Sequence, residues 1–356
     1  FVEAAAAEGI RLCFDLVLNH VGVDSDIARR APEWIVPDAT SPDGNRRARY
    51  WCEQGWKPWE DLVLIDYEHP IPGIRADIWA YMTSYALFWA GYAARTGGFV
   101  RFDNLHSSDK RFVDALTAAL RARYPNVAII AEYFTDVGTM LTTVPEWGLN
   151  LVLATPWDQK FVPQLREYLR YLHSVSEHVR FFMPVSSHDS GSPAQEFGSV
   201  LSTVPRYVAA ALLGTGATGI TQGVEWGIER KIEFVGEPKR LIPREPVFAD
   251  FLRKVNEVLV AEPALRRGAN CRFVDGGHHA VLAAWRADGR EGKPGLLVAC
   301  NFDTGGEHSI EVDLTEFLPA GGPLRATDLL TGKEHAFDAP RVRVTLPPCA
   351  ATVLRF

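Results

Sequence analysis

The chain has few cysteines, and no two of them stand close together. Cys13, Cys52, Cys271, Cys300 and Cys349 are odd in number and form no C-x-x-C pair. That argues against a disulfide framework or a zinc site and fits reduced thiols in a cytosolic protein. Positive charge is not in excess: 37 Lys and Arg face 44 Asp and Glu, a net charge of −7. Nucleic acid and anionic membrane are therefore poor candidates for the main partner. No apolar run is long enough to span a bilayer. An initiator methionine and a signal peptide are missing too. Residues Phe1 to Gly9 read as the last turns of a helix closed by a C-cap glycine. The expectation is that they continue an upstream sequence, with any targeting signal out of view.

The 356 residues are 47% hydrophobic and 23% charged, which suits one large domain or one large plus one small. Along the chain, helical periods alternate with short apolar runs. Ile10–Leu18 reads as a buried strand ending in Asn19-His20. Residues 21–73 show no clear period and are rich in Pro, Trp and charge, and an insertion of that length after a strand usually carries function. Arg75–Arg95 reads as a helix with Ile78, Tyr81, Tyr85, Phe88 and Trp89 near helical spacing, stopped by Thr96-Gly97-Gly98. Strands follow at 99–103, 127–131, 149–154, 181–185 and 219–222. Helices are expected at 110–124, 161–175, 204–213 and 248–261. Six such β/α repeats predict a parallel sheet with helices outside. From about residue 270 the texture changes to short alternating strands with Gly-rich turns, an antiparallel β domain of sandwich type.

Polar residues gather at the carboxyl ends of these strands. Arg101 and Asp103 are two apart and share one face of their strand, so the guanidinium can keep the aspartate ionised. Asp15, Asn19 and His20 close the first strand, Glu132 the third, His188 and Asp189 the fifth, Gln222 and Glu225 the sixth. For an isolated R-x-D the plain alternative is a structural ion pair. Five strands obeying the rule point instead to an active site on that face, as in a β/α barrel. A metal centre would usually need a tighter His and carboxylate cluster, so none is expected. Paired carboxylates suit glycoside cleavage, with one ionised nucleophile and one protonated acid. Glu132 follows Ile129-Ile130-Ala131, an apolar setting that raises a carboxyl pKa towards general-acid use.

Four of these segments resemble the four short sequence regions of the α-amylase superfamily, glycoside hydrolase family 13. Asp15-Leu-Val-Leu-Asn19-His20 is similar to the first. Gly98-Phe-Val-Arg101-Phe-Asp103 is similar to the second, Ile130-Ala-Glu132 to the third and His188-Asp189 to the fourth. Gln222-Gly223-Val224-Glu225 resembles the segment closing the last strand. The resemblance implies a (β/α)8 TIM barrel over residues 1–268, lacking its first two β/α units, and a C-terminal antiparallel β domain over 269–356. Residues 21–73 would be the excursion after the third barrel strand. A chain without those two units is expected to be unstable or inactive unless a partner chain supplies them.

By resemblance, Asp103 is the nucleophile, Glu132 the acid/base and Asp189 the transition-state stabiliser. His20 and His188 bind the sugar, Arg101 orients Asp103, and His106 is a further substrate contact. Asp15, Asn19, Gln222 and Glu225 are supporting residues. Tyr50, Trp51, Trp56 and Trp59 in the excursion either stack on sugar or pack as a loop mini-core. His106 and Ser107 stand where many amylases carry Lys-His, and the absent histidine, often a calcium contributor in that family, speaks against calcium. No cofactor is expected. Asn104 to Ser107 look more like debranching-enzyme glucanotransferases or maltosyltransferases that use maltose phosphate. The substrate implied is an α-glucan or maltooligosaccharide, cut by a retaining hydrolase. Open alternatives are an α-glucan glycosyltransferase and a non-catalytic amylase-like binding protein.

Overall fold

The computed structural model describes residues 1–52, 54–231, 247–266, 270–275, 277–288, 295–318 and 323–356, with Trp51 described in its backbone only. It divides into two units, residues 1–153 and 154–356.

In the first unit, α1 (Val2–Ala7) ends at Gly9, whose φ of 69° suits a glycine after a helix. Next come β1 (Cys13–Val17), β2 (His20–Gly22), α2 (Asp26–Arg30), β3 (Arg47–Cys52) and β4 (Gly55–Leu64). Then follow α3 (Pro72–Arg95), β5 (Phe99–Asp103), α4 (Lys110–Arg123), β6 (Ala128–Ala131), α5 (Val137–Glu146) and β7 (Leu151–Leu153). β1, β5, β6 and β7 pair in that order, all parallel.

The face of the sheet turned to the helices is apolar. Leu16, Val100, Phe102, Ile129 and Ala131 are buried there, and each large side chain contributes on the order of 1.5–3 kcal/mol. α4 buries Phe112, Val113, Leu116 and Leu120, and its first turn is closed by the Asp109 carboxylate accepting from the Phe112 N–H at 2.8 Å. α3 differs from the sequence reading. Its buried stripe is Ile78, Met82, Ala86, Ala90 and Ala93, while Tyr81 and Phe88 are exposed. Small side chains let the helix lie close to the sheet, and Trp89 stacks instead on Phe14 at 5.4 Å.

The excursion is not irregular as read. β2, β4 and β3 form a three-stranded antiparallel sheet. It is tied to the end of β1 where Ile65 N–H donates to the Asn19 carbonyl at 3.1 Å and the buried Tyr67 hydroxyl donates to the Leu18 carbonyl.

The second unit holds α6 (Val162–Ser174), β8 (Phe181–Pro184), α7 (Pro193–Phe197), α8 (Thr203–Leu213), β9 (Ala217–Gly219) and α9 (Ala249–Ala261). β8 and β9 pair in parallel. β9 lies earlier than the predicted 219–222, so Gln222 falls in the turn beyond it. The pairing ends where Gly219 accepts from Val185, and Gly223 then turns the chain at φ 100°. The antiparallel strands follow: β10 (Cys271–Val274), β11 (Val281–Arg286), β12 (Leu296–Asn301), β13 (His308–Asp313), β14 (Leu324–Asp328), β15 (Glu334–Phe337), β16 (Arg341–Leu346) and β17 (Ala351–Arg355). One sheet runs β10-β11-β12-β17-β14-β15 and a second pairs β13 with β16. Trp285, Leu297 and Leu354 of the first share a core with Ile310, Val312 and Val342 of the second, as in a sandwich. The predicted boundary at 268/269 lies outside the described residues.

Among the described residues no helix is long and apolar enough to cross a membrane, and no group of three or more His, Cys, Asp or Glu is placed to hold a metal ion.

Candidate active site

β5 sits between β1 and β6, and register does the rest. Asp15 lies opposite Arg101 across β1 and β5, and Val17 opposite Asp103. On the other side Phe102 pairs with Ala131, and Glu132 N–H donates to the Phe102 carbonyl at 2.9 Å, which brings Glu132 level with Asp103. Val100 and Phe102 point to the buried face. Arg101 and Asp103 therefore share the other, as period-2 alternation requires.

Arg101 holds three carboxylates. Its Nη1 donates to both oxygens of Asp15 and to Asp103 Oδ1, each at 2.8 Å, and its Nη2 to Glu132 Oε2 at 2.9 Å. The side chains of Arg101, Asp103 and Glu132 are only 15%, 20% and 18% exposed, and that of Asp15 is 47%. Burial opposes the guanidinium charge. Asp15, then Glu132 and Asp103, more than reverse this, so the Arg101 pKa rises.

Glu132 is different. Burial pushes its carboxyl above the ordinary 4.5, Arg101 and the Asn104 N–H pull against the rise, and the neighbouring Asp103 charge adds to it. Both donors reach the same oxygen, since Asn104 N–H also meets Oε2, at 3.0 Å. A proton on this carboxyl therefore sits on Oε1. Asp103 meets Arg101 through Oδ1.

Asn104 is a feature that sequence reading missed. It adopts φ 47°, ψ 43°, the left-handed region that asparagine enters more readily than most residues. That turn aims its N–H at Glu132, and an asparagine directly after the strand's last residue is the signal that could have found it. Tyr85 of α3 was named only as a helix-face residue. It shares a cavity of about 360 Å³ with His20, Val17 and Met82. Burial and then the Asp15 charge push its hydroxyl pKa up.

Asn19 is buried, with an Oδ1 that has no hydrogen-bond partner among the described residues; the same holds for His20 Nδ1. Burial pulls the His20 imidazole below 6.5 against the charges of Asp103 and Asp61, so it is neutral at pH 7. His106 is exposed, with its ring 5.4 Å from that of Phe134. Trp56 and Trp59 are exposed too, and Trp59 packs on Tyr50 at 4.4 Å. The Trp51 side chain lies outside the described residues.

In the second unit His188 Nε2 is 3.1 Å from Asp189 Oδ2, both substantially exposed. Asp189 N–H donates to Ser187 Oγ at 3.0 Å, and Lys231 Nζ donates to the Asp189 carbonyl at 2.8 Å. Gln222 lines a small cleft together with His188 and Lys231. Glu225 does not join them there: its Oε2 accepts from Gly223 N–H at 2.8 Å, closing its own turn.

No family model matches the chain. Curated relatives carry the name alpha-1,4-glucan:maltose-1-phosphate maltosyltransferase. That of Bifidobacterium animalis subsp. lactis is 24% identical over 357 residues, 94% of this chain and 46% of the relative. That of Rhodospirillum rubrum is 25% identical over 345 residues, 93% of this chain and 48% of the relative. The chain thus spans about half the length of the curated relatives it matches. Among solved structures, a noncanonic maltogenic alpha-amylase from Thermotoga neapolitana superimposes with a TM-score of 0.76 at 16% identity, covering all of this chain and 80% of that one. A Nostoc punctiforme debranching enzyme does so with a TM-score of 0.65 at 16% identity, covering all of this chain and 77% of that one. The fold is that of α-amylase-type enzymes.

Proposed function

We propose that this chain carries the nucleophile and acid/base of a retaining α-glucan-active enzyme. The observation that carries the reading is the Arg101 guanidinium hydrogen-bonded to both Asp103 and Glu132. Burial favours the proton on Glu132.

In the first step Asp103 attacks the anomeric carbon. The glucosidic C–O bond breaks and its oxygen takes the proton from Glu132, leaving a β-linked glycosyl-enzyme. In the second, ionised Glu132 removes a proton from water or a sugar hydroxyl, whose oxygen displaces Asp103 from the anomeric carbon. Retention requires the two carboxyls to stand about 5–5.5 Å apart. On the resemblance alone, Asp189 and His188 grip ring hydroxyls as positive charge develops, and His20 binds the same sugar. Residues 1–268 are read as strands and helices of a (β/α)8 barrel with 21–73 as its excursion, and 269–356 as the C-terminal β domain.

Hydrolysis and transfer differ only in what attacks the intermediate, and exclusion of water from the acceptor site decides between them. Transfer is the second reading. It is favoured by the maltosyltransferase names of the relatives and by the Asn104–Ser107 segment. The substrate is an α-glucan or maltooligosaccharide, and no cofactor takes part.

A slow fluorinated glucosyl donor tests the mechanism by mass spectrometry. A covalent adduct on Asp103, absent in Asp103→Asn, is the expected result. Label on another residue, or none in a chain that turns over maltooligosaccharide, overturns it. Product analysis on maltooligosaccharides then separates hydrolysis from transfer.

A further inference from the structure

Resting on the reading of Asp189 as a contact of the reacting sugar, we propose that Glu196 is a positioning residue, a carboxylate clamp that fixes the turn at 187–191 and with it Asp189. The turn itself is built on serines. Ser187 Oγ accepts from Asp189 N–H at 3.0 Å and from Ser190 N–H at 3.3 Å, and Ser187 N–H donates to Ser190 Oγ at 2.9 Å. These bonds are internal to the turn, and His188 and Asp189 at its tip are exposed. A carboxylate that must meet a developing charge within a few tenths of an ångström needs support from a rigid element. That support comes just after the tip. Gly191 is buried, and a buried N–H needs an acceptor. It finds Glu196 Oε1 at 2.8 Å.

Glu196 stands on α7 and is held from its other side as well. Its Oε2 takes the ammonium of Lys160, and its side chain is only 24% exposed. Both flanks of that pair go back to one buried cation, Arg206 of α8. Its guanidinium donates to the carbonyls of Gln159 at 2.8 Å and Lys160 at 3.3 Å, and it lies 3.6 Å from the ring centroid of Phe197, the residue next to Glu196. A lone surface ion pair contributes little. Here one core side chain fixes the segments on both sides, so the place of the carboxylate is set before any substrate arrives. Gln195 adds a second strap. Its Oε1 accepts from Lys231 N–H at 2.7 Å, and Lys231 Nζ donates to the Asp189 carbonyl at 2.8 Å. The space at Gly191 is matched to the carboxylate. A Cβ there would stand 2.5 Å from Glu196 Oε1, the end of a flexible side chain, so alanine would push that oxygen off the N–H.

Amide hydrogen exchange and the rate of Asp103 labelling by the fluorinated donor test this on the whole chain. In Glu196→Ala the Gly191 amide loses its protection. Labelling at saturating donor slows about tenfold to a hundredfold, while the half-saturating concentration changes less than about twofold, because the interaction lost acts in the transition state. Glu196→Gln keeps an oxygen for the Gly191 N–H and restores most of both. Gly191→Ala displaces that oxygen and leaves the Lys160 pair. It repeats the result of Glu196→Ala, and the two combined add little further. A melt gives the folded fraction to which each rate is referred. Unchanged protection in Glu196→Ala overturns the clamp. So does an unchanged labelling rate per folded molecule, or a glutamine variant as slow as the alanine one. A parent chain that takes no label sinks the catalytic reading alone, and the clamp then stands or falls by the exchange result.

Discussion

Asp15 and Arg101 face each other across β1 and β5, and both oxygens of the aspartate accept from one guanidinium nitrogen at 2.8 Å. Asp15 therefore fixes the group that in turn holds Asp103 and Glu132. Asp15→Asn keeps the shape and removes the charge. With one negative charge fewer nearby, the Glu132 pKa falls. We expect kcat to drop about tenfold to a hundredfold as Arg101 loses its anchor, and the alkaline limb of the kcat/KM profile to move to lower pH. A limb that stays in place while kcat falls would show that Asp15 acts only on the fold.

Glu132 makes a second, independent pH prediction. Its folded pKa lies above the ordinary 4.5, so the folded chain binds more protons than the unfolded chain between the two values. The stability from this group is fully present below pH 4.5 and is lost as pH rises through the raised value. Glu132→Gln imitates the protonated form and escapes that loss. Paired melting curves should show Tm of the variant minus Tm of the parent becoming more positive as pH climbs from 4.5 towards neutrality. A difference that moves the other way would mean that Arg101 keeps Glu132 ionised. The variant should also lose activity by a factor of about a hundred or more, most severely on donors with poor leaving groups.

The Arg101–Asp103 pair was legible because two residues apart on a strand is a local relationship. So was Glu132, since an acidic residue directly after an apolar run stands out. Asp15 as the partner of Arg101 was not legible, because register between strands 86 residues apart leaves no local trace. The sheet in the excursion was hidden for another reason. Most of β4 is exposed on both faces, so it shows no alternation, and Pro58 further disguises it. α5 was overlooked because Val137–Glu146 carries Gly138, three threonines and Pro145, poor helix formers all. Its N-cap was readable: Asp136 accepts from the Thr139 N–H at 2.9 Å.

Asn104 allows the backbone contact to Glu132 to be tested without touching a carboxylate. Glycine enters the left-handed region freely, whereas valine meets a steric cost there of about 1–2 kcal/mol. Asn104→Gly should leave the pH profile unchanged, because the turn and its N–H survive. Asn104→Val should relax out of the turn and withdraw the donor that lowers the Glu132 pKa. The alkaline limb of kcat/KM then moves up and Tm falls. Identical profiles for the two variants would mean that the N–H does not tune Glu132.

Gly98 bears on whether the site can assemble at all. It precedes β5, and its backbone is not in the left-handed region, so the requirement is for space. A Cβ there would stand 2.0 Å from the Leu12 carbonyl oxygen and 2.8 Å from Thr96 Oγ1. The first of these is backbone and cannot swing aside. The same carbonyl accepts from Phe99 N–H at 2.8 Å, the bond that starts the β1–β5 ladder. Gly98→Ala must therefore push the two strands apart where their register begins, and that register sets Asp15 opposite Arg101. Overpacking of this kind costs about 1–3 kcal/mol or more. We expect a lower denaturation midpoint together with loss of Asp103 labelling beyond what the unfolded fraction explains. Gly97→Ala is the contrast, because Gly97 has φ 62° and a Cβ there would meet nothing within 4 Å. Strain there should cost stability and spare the labelling of the molecules that remain folded.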